Sequence, residues 1–308
     1  MDYFITLFFS EITLSLYPQL IKLVNTNLET QLASRFITYS ILSLIVTLFY
    51  NPYNLFFNYS LSEYIGLGSI NIVHVLSSYI AFRILSSGTS YTLFYTYPIF
   101  NLIARSLFYK EKILLHHYIY IIIAIIGVYL ITNKQLEEKK DTTKDYLIIG
   151  LSAGIISAIT ESIIYLFVKN QKRQSPFQDI NRFYLFGGFI SIILAIYSNT
   201  TTQDTFENKE SNNSHFFEIF TINKIKIDLD KNKIITLVLF NALIGFIGYV
   251  LRFYIIPKIS TLQFNSLIFI GVIFAYVWGF FLSNEQIYLE NVLGSFLILT
   301  SIYLINFT

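Results

Sequence analysis

The chain has 308 residues, of which 54% are apolar, 18% aromatic and 13% charged, with a mean hydropathy of +0.58. A soluble domain of this length presents far more charge, so the composition points to a membrane protein. The formal net charge of +2 is scattered over segment ends and loops, which excludes a nucleic-acid partner, and the lack of cysteine excludes disulfides, thiolate metal sites and a cysteine nucleophile.

A helix crosses the hydrocarbon in about 20 residues at 1.5 Å per residue, and in lipid it satisfies its own backbone hydrogen bonds. Ten apolar stretches meet that length, approximately 3–24, 33–51, 62–85, 89–108, 113–132, 146–169, 180–198, 234–256, 260–282 and 286–306. The expected fold is all-α, a polytopic membrane protein with ten transmembrane helices. The first stretch lacks a basic leader and runs to about Val24, too long for a signal-peptide core, so it is expected to stay in the chain. The charged stretch 133–145, NKQLEEKKDTTKD, cannot enter lipid and reads as a linker between a five-helix repeat at 1–132 and a second at 146–308. A polar stretch at 199–233 interrupts the second repeat. Its first part has the composition of a disordered segment, and its second part reads as a loop in preference to a surface helix.

The two halves resemble each other. A constant shift of 174 residues places Leu93 on Leu267, Phe100 on Phe274, Glu111 on Glu285 and Tyr129 to Ile131 on Tyr303 to Ile305, and a shift of 147 places Lys22 on Lys169, Arg35 on Arg182 and Phe36 on Phe183. Five spans per half is an odd number, so the second copy is inverted relative to the first. Inverted repeats are a transporter design, in which two halves rock about a site near the membrane midplane. The alternative is a duplicated scaffold that moves nothing. The distribution of Lys and Arg favours cytoplasmic termini, by a small margin.

A charge at the bilayer centre costs about 3 kcal/mol or more, so charged residues inside spans face the bundle interior or a water path. Glu11 and Glu161, in corresponding spans of the two halves and about one turn apart in register, are candidates for substrate or proton contact. The other reading for Glu11 is a carboxylate satisfied by hydroxyls such as Ser10 or Thr13. His74, central in the third span, is the natural proton relay, against the reading of a neutral histidine satisfied by a neighbouring helix. Arg252 and Lys258 close the eighth span; one reading has them attract an anionic substrate, but cations at a helix end are expected to snorkel to headgroups. Pro98 frees a carbonyl one turn back and is the candidate hinge of the fourth span. Tyr91, Tyr95 and Asn265 are expected to line a cavity; Asn101 cannot share a face with both tyrosines. Glu111 and Glu285 are read as structural, each at the first turn of the span that follows it. His116 and His117 are adjacent and point about 100° apart, poor geometry for two metal ligands. No phosphate loop, HExxH or serine elbow occurs, so an enzyme is not expected; an intramembrane enzyme is the nearest reading of that class.

Particular residues carry a resemblance. The run Ala81 to Thr92, then Tyr97-Pro98-Ile-Phe, Lys110-Glu111-Lys112-Ile and Ile126-Gly127-Val-Tyr-Leu-Ile resembles the EamA module of the drug/metabolite transporter superfamily. The second copy keeps Glu285 but has Val272 at the position of Pro98 and Ser301 at that of Gly127. The resemblance implies ten helices in two inverted repeats, cytoplasmic termini, and a cavity lined by the first, third, fourth, sixth, eighth and ninth spans. It also implies a small polar solute such as an amino acid or nucleobase, with a nucleotide-sugar or sugar-phosphate carrier as the alternative. The expected protein is a secondary transporter without cofactor or metal, a monomer or homodimer in lipid, with proton coupling through Glu11, His74 or Glu161.

Overall fold

The computed structural model describes residues 3–50, 60–109, 114–137, 141–170, 175–201, 227–228 and 230–307, and the regular structure in them is helical throughout. In the first half, α1 (Tyr3–Leu14) and α2 (Tyr17–Leu23) form one interrupted span, followed by α3 (Leu28–Tyr50) and α4 (Leu61–Ile84). Next come α5 (Ser87–Phe94) and α6 (Tyr97–Tyr109), a second interrupted helix, and α7 (Leu115–Glu137). The second half contains α8 (Asp141–Asn170), α9 (Pro176–Thr201), α10 (Lys231–Phe240) running through a π segment at Asn241–Phe246 into α11 (Ile247–Ile255), then α12 (Thr261–Leu267), α13 (Phe269–Ser283) and α14 (Leu289–Phe307).

The interruptions have identifiable causes. Pro18 cannot donate to Leu14 and its ring blocks a straight continuation, so α1 stops at Leu14. Pro98 does the same to Phe94, where α5 ends. The counterpart in the second repeat breaks at Ile268 without a proline: the Gly271 N–H turns to the Ile268 carbonyl at 2.9 Å, a tight i→i−3 bond. Val272 in place of Pro98 therefore does not remove the break.

Helices pair across the halves. α3 packs on α9, α4 on α8, α7 on α14, α1 on α11 and α5 on α13, the pattern of two interdigitated repeats. α7 and α14 cross where Gly127 and Gly294 meet, and a Cβ on Gly127 would lie 2.6 Å from the Gly294 carbonyl oxygen, so the backbones approach too closely for any side chain. Large apolar residues face outward, among them Ile41, Ile45, Leu48 and Phe49 on α3 and Phe189, Ile192, Ile193 and Ile196 on α9, while Glu11, Arg35, His74, Glu161 and Arg252 are buried. An apolar exterior around a charged interior suits lipid as the outer solvent.

Among the described residues, seven stretches are long and apolar enough to cross a membrane: Tyr3–Leu23, Leu28–Phe49, Leu61–Ile84, Asp145–Asn170, Pro176–Tyr197, Lys231–Ile255 and Gln263–Ser283. The stretch Ser87–Tyr109 is not among them, being rich in polar residues such as Ser87, Thr89, Ser90, Asn101 and Arg105, and among the described residues α7 and α14 supply the apolar runs Leu115–Ile131 and Leu289–Leu304. The charged stretch at 133–145 is helical at both ends, since α7 continues to Glu137 and α8 starts at Asp141. Glu111, in 110–113, and most of the polar stretch, 202–226, lie outside the described residues.

Candidate functional site

The bundle centre is built from side chains that sequence spacing leaves far apart. α1 contributes Glu11, α4 His74, the α5–α6 break Tyr95, α8 Glu161 and α11 Arg252; each is at most 2% exposed. Arg252 is the hub. Its Nη1 donates to Glu11 Oε1 at 3.2 Å and to the Tyr95 hydroxyl at 3.2 Å, and its Nη2 donates to Glu161 Oε1 at 2.8 Å. Tyr95 in turn donates to the other oxygen of Glu11. The guanidinium sits among the rings of Phe94, Tyr95, Tyr97 and Phe264 at 5.5 to 5.9 Å, so these charges interact through a largely apolar surround. Gly271 makes room for the cluster: a Cβ there would lie 2.8 Å from Glu11 Oε2 and 3.1 Å from the Tyr95 hydroxyl.

His74 completes the arrangement from the far side of Glu161. Its Nδ1 lies 3.2 Å from the Ser157 carbonyl oxygen and 3.2 Å from Thr160 Oγ1. A carbonyl only accepts, which favours hydrogen on Nδ1, and Nε2 faces Glu161 Oε2 at 3.5 Å. A proton on Nε2 or on Glu161 Oε2 would turn this contact into a hydrogen bond.

The structure thus gathers Glu11, His74, Glu161 and Tyr95 into one cluster and sets Tyr91 beside it, its ring 5.0 Å from that of Tyr95. Asn265 is buried on α12 next to Phe264 but lines neither cavity described below, and Pro98 lies three residues beyond Tyr95. Arg252 corrects the expectation of snorkelling: it turns inward because two buried carboxylates need a counter-charge. The signal was present, since two acids at mid-span demand a cation and Arg252 falls inside the eighth stretch. Lys258 is exposed, its Nζ 3.1 Å from the Tyr254 ring centre, away from the cluster.

The two ends of the bundle differ. At the end where α2 finishes and α5 begins, Glu285 ion-pairs with Lys22, accepts from the Ser87 backbone N–H at 2.7 Å and from its hydroxyl at 2.8 Å, while Gln19 Nε2 donates to the same hydroxyl at 2.6 Å. Glu285 therefore caps α5 of the other half. α14 begins only at Leu289, which corrects its assignment to the first turn of the following span. Glu285→Gln is expected to lower the unfolding free energy by about 2 kcal/mol, the scale of hydrogen bonds to a charged acceptor, read as a lower melting temperature in detergent; an unchanged melting point contradicts the latch.

At the opposite end, where α8 finishes and α12 begins, a cavity of about 210 Å³ is lined by Asn101, Arg105, Tyr165, Lys169 and Thr261, among others. The Tyr165 ring, 5.6 Å from Tyr97 and 5.3 Å from Phe264, separates this cavity from Arg252. A smaller cavity of about 20 Å³ lies within the bundle, bordered by Arg252, His74, Tyr91 and Arg35.

The profile of the EamA-like transporter family matches residues 3–133 and again 148–307. No curated protein matches the chain. Among solved structures, one titled only "Crystal structure of protein" superposes on 100% of this chain and 98% of its own with a TM-score of 0.59 at 9% identity, a likeness of fold.

Proposed function

Since the chain belongs to the EamA-like transporter family and carries two such repeats in one integral multi-pass membrane protein, we propose that it is a secondary transporter that moves a small polar metabolite by alternating access. The seven long stretches, the broken α5–α6 span and the two shorter apolar helices α7 and α14 together make ten crossings in two inverted five-helix repeats, divided at 133–145, with both termini on the cytoplasmic side. The observation that carries the reading is the buried cluster of Glu11, Tyr95, Glu161 and Arg252, which draws on both repeats at once. A charge set held between two halves is costly unless it serves a path, and relative motion of the halves necessarily changes it.

The mechanism follows from the asymmetry of the ends. The Glu285–Lys22–Ser87 latch seals one end, and the cavity beside Tyr165 and Lys169 gives access from the cytoplasmic end. Rocking breaks the latch and closes that cavity, with the breaks at Pro98 and Ile268 absorbing the bend next to the cluster. The proton between His74 and Glu161 is the coupling species: its loss leaves a carboxylate facing a lone pair, and its return restores neutrality, so occupancy of the pair biases which way the halves close.

Reconstitution into proteoliposomes tests this with a panel of amino acids, nucleobases, nucleotides and nucleotide sugars under an imposed pH gradient. The expected result is uptake of one solute class, accelerated roughly tenfold by the gradient, which corresponds to about 1.4 kcal/mol of driving force. No flux for any solute leaves the duplicated scaffold as the reading, and flux indifferent to pH removes the proton.

A further inference from the structure

A second buried arginine lies outside the cluster. Arg35 on α3 is 2% exposed and sits inside a cage of tyrosines, its guanidinium carbon 4.4 Å from the ring centre of Tyr17, 4.9 Å from Tyr249, 5.4 Å from Tyr39, 5.5 Å from Tyr79 and 5.7 Å from Tyr184. Its Nε and Nη2 donate to the Tyr184 hydroxyl at 3.1 and 2.8 Å. Among the described residues no Asp or Glu pairs with it. Its counterpart in the other half, Arg182, has the Asp179 carboxylate 3.7 Å away. The repeat thus keeps the arginine twice and supplies a nearby carboxylate once.

The local charge balance sharpens the contrast. Glu11 and Glu161 hydrogen-bond Arg252 and neither pairs with Arg35; with the proton proposed above on the His74–Glu161 pair, the cluster is neutral and the Arg35 charge stands over. Ring faces hold a guanidinium but do not neutralise it, and an unneutralised charge at this depth is costly. The planar fork of arginine fits the two oxygens of a carboxylate or phosphate.

The spaces around it agree. Arg35 borders the inner cavity together with Arg252, His74, Ser78 and Tyr249, and no acidic residue borders that cavity. The larger cavity at the cytoplasmic end has Arg105 and Lys169 in its wall and, among the described residues, no acid. Arg105 and Lys169 at the outer cavity and Arg35 at the inner one put positive charge on this side of the bundle, which favours an anion.

We propose that the tyrosine cage around Arg35 binds an acidic group of the transported solute, a carboxylate or a phosphate, so that the carrier's substrates are organic anions. This rests on the transport reading above. At about 20 Å³ the inner cavity admits little more than a water, so the acidic group enters as the halves separate and the tyrosine rings part.

The test uses solutes matched in shape and unlike in charge: succinate and succinamide, glucose 6-phosphate and glucose, uridine monophosphate and uridine. Thermal stabilisation of the purified wild-type protein by charged members alone is expected, with the half-effective concentration raised at least tenfold in Arg35→Gln and less in Arg35→Lys. The carboxylate and phosphate arms separate the two sources of negative charge. Equal stabilisation by neutral members, a preference for anions that survives Arg35→Gln, or silence from every charged member overturns the proposal. A purely structural Arg35 would lower the melting temperature without ligand and leave ligand preference unchanged. Flux separates the two readings: transport of the neutral partners alone removes the anion site and keeps the carrier, whereas anion binding that requires Arg35 without flux of any solute removes the carrier and keeps the site.

Discussion

Arg252→Ala is expected to abolish solute flux and to lower the stability of the protein by about 3–5 kcal/mol, the scale for removing one partner of a buried ion pair. Among the described residues Arg252 is the only Lys or Arg that ion-pairs with Glu11 and Glu161, and aromatic rings surround it. Without it the two carboxylates are left to repel each other or to take up protons, and the tie between α1 and α8 through α11 is lost. The triple variant Arg252→Ala, Glu11→Gln, Glu161→Gln separates the effects. Removing the stranded charges restores most of the melting temperature while flux stays absent. Wild-type melting and flux in the single variant would show that the arginine plays no part at the centre.

Glu161→Gln has the second large effect, and it falls on coupling before folding. The amide keeps the shape, and Glu11 still neutralises Arg252 at 3.2 Å, so abundance in the membrane and melting temperature stay close to wild type. What disappears is the acceptor that shares a proton with His74 across 3.5 Å. Gradient-driven uptake is expected to fall roughly 100-fold, about 2.7 kcal/mol in the barrier, while exchange of solute for solute continues. Wild-type uptake rises as the pH on the proton-supplying side falls, because the loaded pair is then replenished; the variant is flat with pH. Equal loss of uptake and exchange would make Glu161 a substrate contact instead, and no loss of either removes it from the mechanism.

The membrane class and the helices were legible because a hydrocarbon solvent leaves its mark on composition, and the inward residues Glu11, His74 and Glu161 stood out because charge at mid-span is costly. Arg252 was not legible from its own position, four residues from the end of its stretch, where a cation normally reaches headgroups; only the unmet demand of the carboxylates pointed to it. Glu285 looked like a local helix-start residue, and its capping of α5 across the repeats is tertiary. The break at Ile268 has no proline, and the π segment at Asn241–Phe246 begins at Asn241, whose partners Tyr17 and Ser34 lie over 200 positions away. With 24 tyrosines in the chain, no sequence pattern separates the five around Arg35 from the rest.

The most direct measurement is proton movement during solute uptake, followed with a pH-sensitive dye trapped inside proteoliposomes held without an imposed gradient. The account predicts that adding the transported solute moves protons in the wild type and moves none in Glu161→Gln, although that variant still exchanges solute. Solute uptake with a silent dye in the wild type, or an undiminished proton signal in Glu161→Gln, would contradict the claim that the buried cluster couples the two.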